Sequence, residues 1–195
     1  MLVEDLHRQH IEESLQNTLG QEMISLTDKT ISIIEDREGT STSVDFSFCK
    51  HESTQEEEVN LSSSGRGFID AVFKGLMEEY SEDYKSLSQI KLSKFSVSPS
   101  PRLSERTASE VQVSLQFKVC KNNFTFSHKS SSIVLSAYRN LLKTFEFYMN
   151  CEKCFLALKK CVEDARSRNR GDIVSECSYK MADLTKMISY EKLCK

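Results

Sequence analysis

A glycine-arginine-glycine turn, Gly65-Arg66-Gly67, stands directly before an apolar helical stripe that begins at Phe68. Backbone N–H groups of such a turn, with those of a helix start, can cradle a carboxylate or other small anion. Arg66 adds a guanidinium that can pair with a carboxylate, and Asp70 places an acid one turn into the helix. The run Ser62-Ser63-Ser64 feeds this turn. A second run, Ser130-Ser131-Ser132, feeds a second helix start at Ile133, which follows Phe68 by 65 positions.

The other residue types that do chemistry assemble less well. Cys151-x-x-Cys154 with Cys161 has the beginnings of a zinc or redox spacing. No second Cys-x-x-Cys or histidine pair completes four ligands, and small buried apolar side chains explain the three cysteines without any chemistry. His7 and His10 lie on a charged helix face. His51 falls in an acidic stretch and His128 beside Lys129, neither near an obvious nucleophile. Glu56-Glu57-Glu58 reads as a wet loop. No nucleophile, base and oxyanion site can be composed from these residues. The expectation is a non-enzyme with no catalytic residue, no metal and no cofactor.

Bulk composition narrows the partners. A net charge of −3 gives no electrostatic footprint for nucleic acid. No apolar run approaches the roughly 20 residues of a membrane span. Glu4, Asp5 and Arg8 interrupt the first ten residues, so no signal peptide is read, and a cytoplasmic location is expected. Seven cysteines, an odd count, then read as reduced thiols.

The elements that must position the turn follow from periodicity. Leu2, Leu6, Ile11, Leu15 and Leu19 recur at helical spacing, with Gly20 as a stop. Residues 30–34 form a β-branched strand. Val44, Phe46 and Phe48 alternate with polar residues, residues 50–58 read as a solvated loop, and Val59 and Leu61 make a short strand before the serine-glycine turn. A helix spans 68–80. The second half repeats the order: a strand over 87–97, whose change of parity between Leu92 and Phe95 predicts a bulge near Ser93 and Lys94; a loop over 99–105; a strand over 111–119; a turn at Asn122-Asn123; a return strand through Phe124 and Phe126; and a helix over 133–149. Residues 151–195 show two helical stripes broken at 168–172.

Phe68, Ile69, Val72, Phe73 and Leu76 match Ile133, Val134, Ala137, Tyr138 and Leu141 at the same offset of 65, a sign of a duplicated unit. The predicted fold is α+β: two βββα units in a pseudo-twofold layered sheet/helix domain over residues 29–150, an N-terminal helix and linker over 1–28, and a helical hairpin appendage over 151–195.

Gly65-Arg66-Gly67-Phe68-Ile69-Asp70-Ala71 resembles the Gly-x-Gly-Pro-Val-Asp-Ala motif of the C-terminal regulatory domain of the 2-isopropylmalate, citramalate and homocitrate synthase family. Ile90 to Val97 is similar to that family's Leu-x-x-Tyr-x-Val strand, residues 108–115 to its next strand, and Ser132-Ile133-Val134-Leu135-Ser136-Ala137-Tyr138 to its Asp-Ile-Val-x-Ala-Ser-Ala helix start. The resemblance covers residues 41–150. Phe68 stands for the proline, Phe95 for the strand tyrosine and Ser132 for the aspartate. Neither the catalytic barrel nor its His-x-His has a counterpart. The resemblance implies an allosteric, dimerising domain of leucine biosynthesis. It would bind an end-product amino acid, leucine or isoleucine, through Gly65, Gly67, Ile69, Asp70, Ala71, Leu92 and Phe95, to which the turn itself adds Arg66, and would act on a separately encoded synthase. The alternative is a scaffold that kept the fold without the ligand.

Overall fold

A computed structural model describes residues 3–36, 38–99, 110–119, 122–186 and 188. After helix α1 (Val3–Leu19), strands β1 (Ile24–Glu35), β2 (Thr42–Glu52) and β3 (Gln55–Gly65) form an antiparallel sheet in the order β1-β2-β3, followed by helix α2 (Phe68–Tyr80). Strands β4 (Lys91–Pro99), β5 (Val111–Val119) and β6 (Asn122–Ser130) form a second sheet in the order β4-β5-β6, followed by α3 (Ile133–Ser167) and α4 (Gly171–Leu184). The fold is α+β with the three-strand-and-helix unit present twice. The offset of 65 holds in space: β3 and β6 end at Gly65 and Ser130, and α2 and α3 start at Phe68 and Ile133.

Alternation decides which face of each sheet is dry. Val44, Phe46 and Phe48 of β2 are buried, as are Val113, Leu115, Phe117 and Val119 of β5. The bulge expected in β4 is present between Leu92 and Lys94. β1 has a matching bulge between Asp28 and Thr30, and the strand starts at Ile24, six residues before the expected Thr30. Ile24 and Leu26 face the core before the bulge, Ile31 and Ile33 after it. The change of parity hides this strand from a period-two reading.

Several expected boundaries move. Residues 50–58 are not a loop: Lys50, His51 and Glu52 pair with Glu57, Glu56 and Gln55, so that only Ser53 and Thr54 turn. Ser53 takes a positive φ of 56°. Ladder hydrogen bonds need no apolar side chain, so a solvated hairpin end looks like a loop in composition. Ser62, Ser63 and Ser64 continue β3 instead of turning, and Ser62 donates to the Asp45 carboxylate opposite at 2.6 Å. Residues Lys85–Gln89 form a 3-10 turn that buries Leu87, which delays β4 to Lys91. Val119 pairs with Asn122, which puts both asparagines in β6. The loop expected over 99–105 lies, from residue 100 on, outside the described residues.

The boundary drawn at residue 150 falls inside α3. No glycine or proline interrupts residues 133–167, and without a breaker the helix runs for 35 residues. It ends where a stop was expected: Asn169 adopts φ 56° and the Arg170 N–H reaches back to the Ala165 carbonyl at 2.9 Å, a left-handed helix cap. α3 serves both sheets. Its Tyr138 hydroxyl donates to the Ser47 carbonyl of β2 at 2.9 Å. Asn150 bonds both the N–H and the carbonyl of Ile24 at 2.8 Å, and Glu146 accepts from the Leu26 N–H at 2.8 Å. These side chains act as a surrogate strand on the edge of β1. One buried apolar cluster joins α1, both units and α4. Among the described residues no helix is long and apolar enough to cross a membrane.

Candidate functional site

The junction between β3 and α2 is built by close approach. A Cβ at Gly65 would lie 2.6 Å from the Ala71 backbone nitrogen, so only glycine lets the strand end pass beneath the helix start. Ser63 fastens the two elements by donating to the Ala71 carbonyl at 2.6 Å. Gly67, by contrast, has open space around its Cβ position and an extended φ of 179°, so no steric demand explains it.

Asp70 sits in the first turn of α2, where a carboxylate faces the positive end of the helix dipole. It accepts from the Arg66 N–H at 3.0 Å and from Lys74 Nζ at 2.9 Å. Lys74 first, and the Arg66 N–H second, hold its carboxyl below the usual carboxylate range. Asp70 is therefore ionised at neutral pH, and already has a cation.

Arg66, Gly67, Ile69, Asp70, Leu92 and Phe95 surround one open recess of about 480 Å3, together with Phe68. Six of the eight residues expected from the sequence thus converge from the start of α2 and from β4, which follows it in the chain after a 3-10 turn. Gly65 and Ala71 do not reach it. They form the layer beneath, where Ala71 is fully buried. The wall of the recess is almost wholly apolar, and Arg66 and Asp70 contribute little polar surface to it. Phe95 is 44% exposed, and Val97, two residues along the same edge strand, is 40% exposed.

No family model matches the chain. No curated protein sequence matches it.

The remaining candidates resolve as follows. Cys151 and Cys154 are buried, and burial pushes both thiols up, which keeps them protonated and unreactive. Cys161 is exposed on α3 and lies 3.5 Å from Cys177 of α4, sulfur to sulfur. The three do not share one environment. His128 stands half-buried at the end of β6, and burial, then Lys143 and Arg139, lower its pKa. A second recess of about 480 Å3 lies between α1, β6 and α3. Part of its polar lining is engaged with strand carbonyls: Arg8 donates to Thr125 and pairs with Glu12, and Asn140 donates to Val113 and Phe126. On the first sheet, Cys49, His51 and Glu56 bring three metal-ligand atoms within 4.8 Å of one another. The sequence hid this group because it needs the register of β2 against β3, in a stretch whose composition reads as loop.

Proposed function

We propose that the chain is a non-catalytic regulatory domain whose recess between α2 and β4 takes a branched-chain amino acid, leucine or isoleucine. The observation that carries this reading is the convergence of Arg66, Gly67, Ile69, Asp70, Leu92 and Phe95 on one recess. The ligand's aliphatic side chain would lie against Leu92 and Phe95. Its carboxylate would meet Arg66 and the first N–H groups of α2, which have no partner within the helix. Its ammonium would take the place of Lys74 Nζ beside Asp70. Lys74 is half exposed and free to swing into water. On this reading the domain acts on a separately encoded synthase.

Titration calorimetry with leucine and isoleucine tests it. Heat at millimolar ligand or below is expected from the intact protein, and a loss of at least tenfold in affinity from Phe95→Asp. Silence with both amino acids removes the ligand.

A second reading rests on a different observation. Phe95 and Val97 expose apolar surface on β4, an edge strand of the second sheet. Edge strands left bare in this way invite another chain, and a homodimer joined there would leave the domain a scaffold. Sedimentation of Val97→Lys separates the two readings: loss of a dimer with retained amino-acid binding assigns the edge to assembly alone.

A further inference from the structure

We propose that the outer face of the β2–β3 hairpin is a zinc-class metal site, with Cys49, His51 and Glu56 as its ligands. Cys49 and His51 are two apart on β2 and so point to the same side of the sheet. Across the ladder, His51 stands opposite Glu56, and Cys49 opposite Glu58. Directly opposed residues in an antiparallel pair have Cβ atoms about 5 Å apart. The register therefore gathers a thiol, an imidazole and two carboxylates into one block.

Three of these already lie close: one ligand atom each from Cys49, His51 and Glu56, all within 4.8 Å of one another. In a tetrahedral zinc site, metal–ligand bonds of about 2.0–2.3 Å put neighbouring ligand atoms roughly 3.5 Å apart. Rotations at the half-exposed His51 and the exposed Glu56 can supply the difference, while Cys49 is held in place by burial. A sulfur, nitrogen and oxygen donor set suits zinc and, as a probe, cobalt; it does not suit calcium or magnesium, which favour all-oxygen shells.

Glu58 is the block's fourth member and is engaged elsewhere. Lys29, at the bulge of β1, donates to it at 2.6 Å and lies within reach of the Cys49 thiol. Lys29 thus holds back one ligand and sets a positive charge beside the site. On binding, the thiol proton leaves to solvent as the metal–sulfur bond forms, and no electron is transferred. The metal would rivet the solvated end of the hairpin.

Cobalt(II) titration of the full-length reduced protein, followed by the thiolate-to-cobalt charge-transfer band, is the test. The expected result is a band that saturates at one equivalent and is abolished by added zinc. His51→Gln should weaken binding at least tenfold with an unchanged circular dichroism spectrum, since the side chain is half exposed. Lys29→Met should tighten binding by freeing Glu58. The doubly substituted Cys161→Ser/Cys177→Ser protein should keep the band, which excludes the helix-borne sulfur pair as its source. Absence of a thiolate band, or a band that survives His51→Gln unweakened or disappears with Cys161 and Cys177, overturns the site. Weaker binding in Lys29→Met overturns the role given to that lysine.

Discussion

Gly65 and Gly75 in the first unit occupy the places taken, 65 residues later, by Ser130 and Asn140 in the second. In the first unit the helix lies close on its sheet, tied to it by the Ser63 hydroxyl at the Ala71 carbonyl. A Cβ on Gly75 would stand 3.0 Å from both the Phe46 ring and the Ser63 hydroxyl. In the second unit, side chains fill the same gap: Ser130 bonds the Ser136 hydroxyl at 2.8 Å, and buried Asn140 donates to the carbonyls of Val113 and Phe126. Ser132 caps α3 by accepting from the Leu135 N–H at 3.2 Å, whereas Gly67 gives α2 no side-chain cap. A duplicated unit has therefore closed the same helix–sheet joint by two physical means, close approach over glycine in one and larger polar side chains in the other. Each joint opens beside a recess, the capless one beside that between α2 and β4 and the capped one beside that between α1, β6 and α3.

The comparison breaks most sharply at Gly65. Gly65→Ala drives a Cβ against backbone that cannot move aside, and should cost about 3 kcal/mol, at the upper end for overpacking. A shift of the urea midpoint measures it; a shift no larger than that of an ordinary surface substitution would mean that the strand end does not need glycine. Asn140→Ala tests the other joint. It leaves two strand carbonyls without their side-chain donor and should cost about 2 kcal/mol in the same assay. Gly75→Ala separates packing from backbone preference. Alanine gains up to about 1 kcal/mol in a helix interior, and the close contacts with Phe46 and Ser63 offset it, so the net change should fall within about 1 kcal/mol of zero.

The smallest effect concerns the asymmetry of α3, which leans on the first sheet as well as on its own. Burial pushes the Glu146 carboxyl up from its ordinary value of 4.5. Between that value and the raised one, the native state holds more protons than the unfolded chain, so stability falls as pH rises through the window. The cost is present at neutral pH and absent below 4.5. Glu146→Gln keeps an acceptor for the Leu26 N–H and removes the charge. It should raise the melting temperature slightly at pH 7, and the gain should vanish in acid. A gain that persists below pH 4.5 would place its origin elsewhere.

Much of the architecture can be read from residue order because it is written twice. The paired apolar stripes give the two helices, and the parity change at Leu92 and Phe95 gives a bulge. The same device is silent in β1, where Asp28, Lys29 and Thr30 separate the two parities with no aromatic residue to mark them. The charged end of the first hairpin stayed hidden because its pairing depends on backbone hydrogen bonds, which leave no trace in hydrophobicity. Composition changes at residue 150, while the helix follows its lack of glycine and proline and runs on to Ser167. The recess residues were legible through the motif around Gly65 and the strand at Leu92 and Phe95. The Cys49, His51 and Glu56 group was not, since it exists only once two strands are set in register.

The reach of α3 across both sheets has a consequence for the order of events during synthesis. Ile24 finds its edge partner at Asn150, and Ser47 its tyrosine at residue 138. At about 5–20 residues per second, the ribosome needs roughly 5–20 s to extend from the first hairpin to that helix. Through this interval the nascent amino-terminal half waits with an unsealed strand. It is the stage at which a chaperone would find the most to hold.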